Sequence, residues 1–353
     1  MSLNACLGGF LVLTLLMVAA TSAQQSKPAA PPNGGRIDLD VVVTPKSGPP
    51  VGDLQQQDFT VLDNKVPRPI ASFKAVNGRN APVEIVLVID AVNANYTNVS
   101  YQRAQIEKFL RADEGRIARP IALAIFTDQG SRIVGNFSTD GNALSAELDR
   151  EDVALRSVER STGFWGATER WQISLQAMTQ LITTVASDPG RKIVICISPG
   201  WPLLSGPRVQ LSSKMQRQIF GDVVNLSTQM RRGRVTLYSV DPFGPGESMI
   251  RTFYYEEFLK GISKPSQALP GDLGLQVLAV QSGGLAIAAG NDIVGDLQQC
   301  LGNVAPYYEI SFDPAPATAT QADPYHQLEI KITKSGLIAR TRQGYYSRHS
   351  LRE

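Results

Sequence analysis

The feature that most constrains this chain is an alternation of short apolar runs and helical patterns that begins at Pro82. Four runs, at residues 83–89, 121–126, 192–197 and 235–240, are nearly continuously apolar, as in strands covered on both faces. Patterns with helical periodicity stand between and after them, at residues 101–110, 143–149, 167–186, 212–232, 273–281 and 293–301. Strands that alternate with helices form crossover units and a parallel sheet. The sequence therefore predicts an α/β fold with a doubly wound, mostly parallel sheet.

The segments on either side of this region have a purely β pattern. Residues 36–43 alternate between apolar and polar side chains, and further short strands are predicted at residues 59–62, 70–76, 307–312, 327–333 and 337–345. We therefore expect an α/β domain at residues 81–304, inserted into a small β-rich domain built from both flanks, residues 36–80 plus 305–348. The alternative is two independent β extensions.

The N-terminus has the pattern of an export signal. Residues 7–20 are uncharged and mostly apolar, which is too short for a membrane span, and small residues follow at positions 21–23. No Lys or Arg precedes the run, and a buried N-terminal helix is the alternative. We predict a signal peptide at residues 1–23, a Pro/Gly linker at 24–35, and no transmembrane span after signal removal. The mature protein is then expected to be periplasmic or extracellular.

Composition excludes several functional classes. Lys plus Arg number 34 and Asp plus Glu 32, and this balance argues against a nucleic-acid partner. The chain has two histidines, His326 and His349, too few for a multi-histidine metal site, and it lacks phosphate-loop and nucleophile-elbow motifs. We therefore expect no enzymatic activity. Cys196 and Cys300 are expected to be free thiols, with a disulfide as the alternative.

Three stretches, taken in order, resemble the von Willebrand factor type A (VWFA) domain. The resemblance is to the bacterial VWFA-related exported family first described in acidobacteria, and it covers nearly all of the mature chain. The stretches are Leu54-x-x-x-Asp58-Phe59-x-Val61-x-Asp63-Asn64 with Ile70 and Phe73; the strand of residues 85–90, which ends in Asp90 before a helix; and Leu278-Ala279-x-x-Ser282-Gly283-Gly284 through Tyr307-Tyr308 to Gly344-Tyr345-Tyr346.

The resemblance implies a ligand face at the carboxyl ends of the strands, where the family often holds Mg²⁺. Such a site uses Asp-x-Ser-x-Ser, a Thr on a second loop and an Asp on a third. Here Asp90 matches the first position, but Val92 and Ala94 offer no side-chain oxygen. Thr168 lies near the second-loop position, with Thr162 as a substitute, and Ser198-Pro199-Gly200 stands where the second Asp is expected. We therefore expect no metal and no cofactor, and we expect Asp90 to accept backbone N–H bonds in its own loop.

Polar and aromatic residues on the predicted loops remain available for contact with a partner. The expected ligand-binding face comprises Asp90, Asn93, Asn95, Tyr96, Trp165, Thr168, Ser198 and Trp201. Aromatic side chains are enriched at binding hot spots, although Trp165 and Trp201 would equally serve to pack the end of the sheet. The interpretation is a non-enzymatic, adhesion-type protein that binds a protein or glycan of the bacterial cell envelope. One alternative is a secreted hydrolase that uses Ser198 or the Asp90 loop, and another is a structural envelope scaffold.

Overall fold

A computed structural model describes residues 35–78, 81–151, 163–202, 204, 211–242, 254–287, 292–314 and 325–347. Residues 36–353 form one compact unit. The predicted signal peptide, all of the predicted linker except Gly35, and Thr162 lie outside the described residues. No helix in the described part of the chain combines the length and apolar character that a membrane crossing requires.

Strands and helices follow the predicted alternation. The strands are β1 (Ile37–Pro45), β2 (Phe59–Asp63), β3 (Val66–Arg68), β4 (Ile70–Val76), β5 (Val83–Asp90), β6 (Arg116–Thr127), β7 (Gly130–Asp140), β8 (Arg191–Ile197), β9 (Val235–Val240), β10 (Ala286–Ile287), β11 (Tyr307–Phe312), β12 (Tyr325–Ile332), β13 (Leu337–Arg340) and β14 (Gly344–Tyr346). The helices are α1 (Tyr96–Leu110), α2 (Gly141–Asp149), α3 (Gly163–Val185), α4 (Ser213–Arg232), α5 (Leu275–Gln281) and α6 (Ile293–Gly302).

The central sheet has six strands in the order β10-β9-β8-β5-β6-β7. Five of them are parallel, and β7 pairs antiparallel with β6 at one edge. From β5 the chain first builds outward through β6 and β7, and then returns to the other side of β5 with β8. The doubly wound, mostly parallel α/β fold is confirmed, with its switch in strand order between β5 and β8.

Helices cover both faces of this sheet. Ile85, Leu87 and Ile89 of β5 lie in one core with α1, α2 and α6, whereas Val86 and Val88 lie in the other with α3, α4 and α5. Burial on both faces accounts for the continuous apolar run of β5. Cys196 belongs to the second core and Cys300 to the first, and both thiols are free and buried. The sheet between the two thiols accounts for the lack of a bridge.

The flanking segments form two antiparallel sheets, β13-β1-β11-β4 and β14-β12-β2-β3. Strands from before and after the α/β region pair directly, since β1 pairs with β11 and β2 with β12. Their shared core includes Leu39, Val61 and Ile310. The domain boundaries at residues 80/81 and 304/305 stay predictions, because Val42 and Tyr307 lie outside residues 81–304 and yet belong to the core of the central sheet.

Several elements differ from the sequence prediction, and three of the differences have a local cause. Helix α1 begins five residues earlier than predicted because Asn95 caps it. The predicted strand at residues 337–345 is two strands, β13 and β14, which belong to different antiparallel sheets; between them Gln343 donates its backbone N–H to Gln281 O. The short strand β3 was not predicted, because Pro67 at its centre is unusual in a strand.

Candidate functional site

The candidate site lies at the switch in strand order. Asp90 is the last residue of β5, and Ser198 directly follows β8, its parallel neighbour. In open α/β sheets, ligands bind outside the carboxyl ends of the strands at this point. The fold therefore brings these two predicted residues together.

The Asp90 carboxylate is saturated by protein donors. Its Oδ1 accepts the backbone N–H groups of Val92 at 2.9 Å and Asn93 at 3.1 Å. Its Oδ2 accepts Nδ2 of Asn93 at 2.8 Å and Oγ of Ser198 at 2.6 Å. Asp90 is fully buried, and burial raises the pKa of its carboxyl above the usual range, against the opposing effect of these hydrogen bonds. The carboxylate therefore holds the loop between β5 and α1 in place and joins it to β8.

Neighbouring groups extend this network. Asn93 Nδ2 also donates to Oγ of Ser174 at 2.8 Å, and Ser174 donates in turn to Arg170 O at 2.8 Å. Gly200 N donates to Ser198 Oγ at 3.1 Å, and Gly200 has a φ of +87°, which favours glycine. Sequence reasoning missed Ser174. The available signal was a polar residue on the buried stripe of α3, three residues after Trp171 and before Ala177.

The described residues do not fit a Mg²⁺ site. Both oxygens of Asp90 are engaged, and the side chains of Val92 and Ala94 are apolar and buried. Thr168 Oγ1 donates to Phe164 O at 2.9 Å within α3 and makes no bond to Asp90. In the described ranges, no group of three His, Cys, Asp or Glu side chains is placed to hold a metal. Mg²⁺ is bound in near-octahedral geometry through one or two carboxylates and several waters, whereas the Asp90 carboxylate already accepts hydrogen bonds from four protein donors.

The other predicted polar residues have separate positions. Asn95 is exposed, and its Oδ1 accepts the backbone N–H of Asn98 at 2.8 Å, so its side chain caps α1. Tyr96 is the first residue of α1, and its side chain lies outside the described residues. Neither Asn95 nor Thr168 takes part in the Asp90 network.

An exposed aromatic pair stands on the first turn of α3. Trp165 is 79% exposed and Phe164 is 50% exposed. Their rings meet edge to face with centroids 6.1 Å apart. Single exposed apolar side chains are ordinary, but adjoining ones form an apolar patch, and such patches are a feature of contact sites.

Trp201 does not share that exposure. It is 5% exposed and lies in the core with Trp171 and Phe220. Trp201 therefore packs the end of the sheet, as the alternative interpretation expects, and does not point outward on a contact face. Its burial follows from the loop after β8, which turns back at Gly200 to lie against Gln276 of α5.

Comparisons with known proteins give only distant similarities in structure. No family model and no curated protein matches the sequence. Human COPII-coat protein Sec24c aligns with a TM-score of 0.36 and 9% identity over 77% of this chain and 44% of that chain. The manganese-loaded TRAP protein of Plasmodium vivax gives 0.33 and 10% over 78% and 98%, and the VWA domain of SpRpn10 gives 0.22 and 11% over 45% and 74%. The chain thus spans less than half of Sec24c, and similarities at these scores carry no argument about function.

Proposed function

We propose that this protein is an exported, non-enzymatic binding protein of the bacterial cell envelope, related to the VWFA-type exported proteins. It contacts a protein or glycan with the carboxyl-end face of the central sheet. The observation that carries the proposal is the exposed Phe164–Trp165 pair, which stands at the start of the helix that supplies Ser174 to the Asp90 network. A rigid base with exposed aromatic side chains is suited to recognition.

Burial of the polar groups argues against their use in catalysis. Ser198 and Asp90 are both 0% exposed, and the Ser198 hydroxyl already donates to Asp90. A nucleophile must be reachable and must have a base to take its proton. The described histidine, His326, lies on β12 with its Nδ1 2.8 Å from Asp63, outside this network. The hydrolase alternative therefore has no supporting geometry among the described residues.

The physical basis of the contact is the area of Trp165. A tryptophan ring offers a large rigid surface that packs on an apolar patch or on the C–H face of a sugar ring, with few rotamers to lose. One edge of the ring meets that of Phe164, which adds to the exposed aromatic area. Trp165 is accordingly the side chain on which most of the binding energy is expected to depend.

The test compares Trp165→Ser with Ile338→Ser, which removes an equally apolar and 55% exposed side chain on β13. A partner isolated from envelope extract or a glycan array is purified, and its Kd is measured for both variants and the wild type. Truncation of a central aromatic contact costs about 2 kcal/mol or more, so we expect at least about 30-fold weaker binding for Trp165→Ser. Ile338→Ser is expected to stay within about twofold of the wild type, as substitutions outside an interface do.

Three results would contradict the proposal. Unchanged affinity of Trp165→Ser for every isolated partner would show that the aromatic pair is not the contact. Turnover of an ester or glycan substrate that Ser198→Ala abolishes would show that the site is catalytic. A stable homo-oligomer with no other partner would favour the scaffold alternative instead.

A further inference from the structure

An asparagine followed by a glycine lies in an exposed turn directly after β4. Asn77 is the first residue beyond the strand, Gly78 comes next, and both are exposed. Gly78 has a φ of +85°, which glycine adopts without strain. Apart from its two chain neighbours, no described atom would lie within 4 Å of a Cβ at Gly78. The backbone here therefore has room to move.

This dipeptide places an electrophilic carbon and a nucleophilic nitrogen in neighbouring residues. Cγ of an asparagine side chain and the backbone nitrogen of the next residue close a five-membered ring when they form a bond. Closure requires rotation of the backbone, and a Cβ on the second residue hinders it, whereas glycine has none. The pairing of β4 with β11 ends at Val76, so strand pairing does not hold Asn77 and Gly78.

The side-chain amide of Asn77 makes a hydrogen bond at the surface. Its Nδ2 donates to Gly52 O at 3.0 Å. Because water competes for both groups, the net strength of such a bond is modest, and it holds the amide only part of the time. A Cβ at Gly52 would collide with Oδ1 of Asn77 and would lie 2.9 Å from Cβ of Pro306. The Asn77 amide therefore packs closely on the segment that contains Gly52.

We propose that Asn77 is a site of spontaneous deamidation in the folded protein. The backbone nitrogen of Gly78 gives its proton to solvent and bonds to Cγ of Asn77, and the bond from Cγ to Nδ2 breaks as ammonia leaves. Water then opens the cyclic imide. Attack at the backbone carbonyl gives isoaspartate, and attack at Cγ gives aspartate. In sum, the amide and one water become a carboxylic acid and ammonia, with no oxidation or reduction.

The product changes two contacts of this turn. A carboxylate has no N–H for Gly52 O, so an oxygen faces an oxygen where Nδ2 now donates. Isoaspartate also adds one CH₂ to the backbone and displaces Gly78, whose O accepts Nη2 of Arg119 on β6 at 3.0 Å. The turn lies apart from the Asp90 network and from the Phe164–Trp165 pair, so the proposal does not depend on the proposed function.

The test follows the folded protein over time in mildly alkaline buffer. Trypsin releases residues 75–79 as one peptide, so the same dipeptide at residues 33–34 does not contribute. Mass spectrometry detects the exchange of NH₂ for OH, and methylation by an isoaspartyl methyltransferase separates isoaspartate from aspartate. The internal control is Asn64, which is also exposed in a turn, with a φ of 51°, but precedes Lys65.

We expect Asn77 to convert at least about tenfold faster than Asn64, because a Cβ on the following residue hinders ring closure. Isoaspartate should appear alongside aspartate, since water can open either side of the ring. Equal rates at Asn77 and Asn64, or aspartate without isoaspartate, would overturn the proposal. No conversion at Asn77 would overturn it as well.

Two variants test the ring directly. Gly78→Ala adds the hindering Cβ, and we expect it to slow conversion at Asn77 at least about tenfold. Because alanine is strained at this φ, a melting curve checks that the variant is folded. Asn77→Gln keeps the amide but would need a six-membered ring, so it should convert more slowly than the wild type whether or not Gly78→Ala folds. Wild-type rates in a folded Gly78→Ala protein or in Asn77→Gln would refute the mechanism.

Discussion

At the scale of single residues, the role of Asp90 is decided by its neighbours. A carboxylate at the end of a central strand can bind a metal ion. Alternatively, both of its oxygens can accept hydrogen bonds from its own loop. Here Val92 and Asn93 turn their backbone N–H groups toward Oδ1, and Asn93 and Ser198 bind Oδ2. The carboxylate is therefore a structural group.

Asp90→Ala should lower the free energy of unfolding by about 2–4 kcal/mol, because four donors lose their acceptor in a buried place. Urea unfolding measures this, with the exposed Asp53→Ala as the control.

The melting temperature of the wild type should not respond to millimolar Mg²⁺ or Mn²⁺, since only binding to the native state raises it. A rise that Asp90→Ala removes would show a metal site and contradict the interpretation.

Asp272 predicts a pH-dependent stability. Burial raises its pKa to about 6, so the folded protein prefers the protonated acid, and stability falls as pH rises from about 4 through about 6. Asp272→Asn retains an acceptor for the Leu269 N–H and removes the charge. The variant should match the wild type near pH 4 and exceed it by about 2–3 kcal/mol at pH 7, with the exposed Asp113→Asn as the control. Equal stability at pH 7 would contradict the prediction.

Some of these residue roles were predictable and others were not. Asp90 as an acceptor within its own loop follows from a strand that ends in an acid and lacks side-chain ligands at Val92 and Ala94. The contributions of Ser174 and the burial of Trp201 depend on how α3 and α5 pack against the sheet. Residues distant in sequence decide them: the local pattern marks Ser174 as a polar residue on the buried stripe of α3, but it does not say which group Ser174 contacts.

At the scale of elements, a buried cluster joins β2 to β12 and β14. Asp63 accepts from Tyr345 OH at 3.0 Å, lies 2.8 Å from His326 Nδ1 and 3.6 Å from Arg68 Nε, and the His326 ring stacks on Tyr345. Strands β2 and β12 were predicted close to their observed bounds because both carry a clear apolar pattern, whereas β14 was predicted as one strand with β13. The pairing of β2 with β12 was expected only from the nested arrangement, because nothing in the sequence of either strand identifies an antiparallel partner so far away in the chain.

The contribution of this cluster to stability depends on pH through Asp63. Burial alone would raise its pKa, but hydrogen bonds from His326 and Tyr345 and the charge of Arg68 outweigh burial and lower it. Its stabilisation is thus present above about pH 4 and is lost as pH falls toward the lowered pKa. Asp63→Asn should cost about 1–3 kcal/mol at pH 7, and the difference should shrink toward pH 3. Urea unfolding at both values, with Asp53→Asn as control, checks this, and a gap independent of pH would refute it.

At the scale of the whole molecule, the flanking strands are fastened to the α/β region by specific contacts. Arg234, just before β9, pairs with Asp40 of β1 and donates to Glu309 of β11 at 2.7 Å. The Arg191 guanidinium lies 4.5 Å from the ring centre of Tyr307 and donates to Val304 O at 2.6 Å. These contacts join the sheets into one body, although the domain boundaries themselves were derived only from the pattern of the sequence.

We expect residues 36–353 to unfold in a single transition. Tryptophan fluorescence reports on the α/β region, which holds all 3 tryptophans, and far-ultraviolet circular dichroism reports on the entire chain. Because the two regions share Val42 and Tyr307 in one core, both signals should give the same urea midpoint. Arg234→Ala should lower that common midpoint in both signals, while Arg217→Ala on α4 should not. Two separated midpoints in the wild type would contradict the expectation.

The pairing of β1 with β11 also fixes an order of assembly. Arg36 and Asp313, which bond across this pair, are 277 residues apart in the chain. During synthesis the first strands leave the ribosome long before their partners exist, so their edges stay open while the α/β region forms between them. Open strand edges invite pairing with other chains. The first strands are therefore paired only in a chain synthesised as far as β13, since β11 and β13 pair with β1 and β12 pairs with β2.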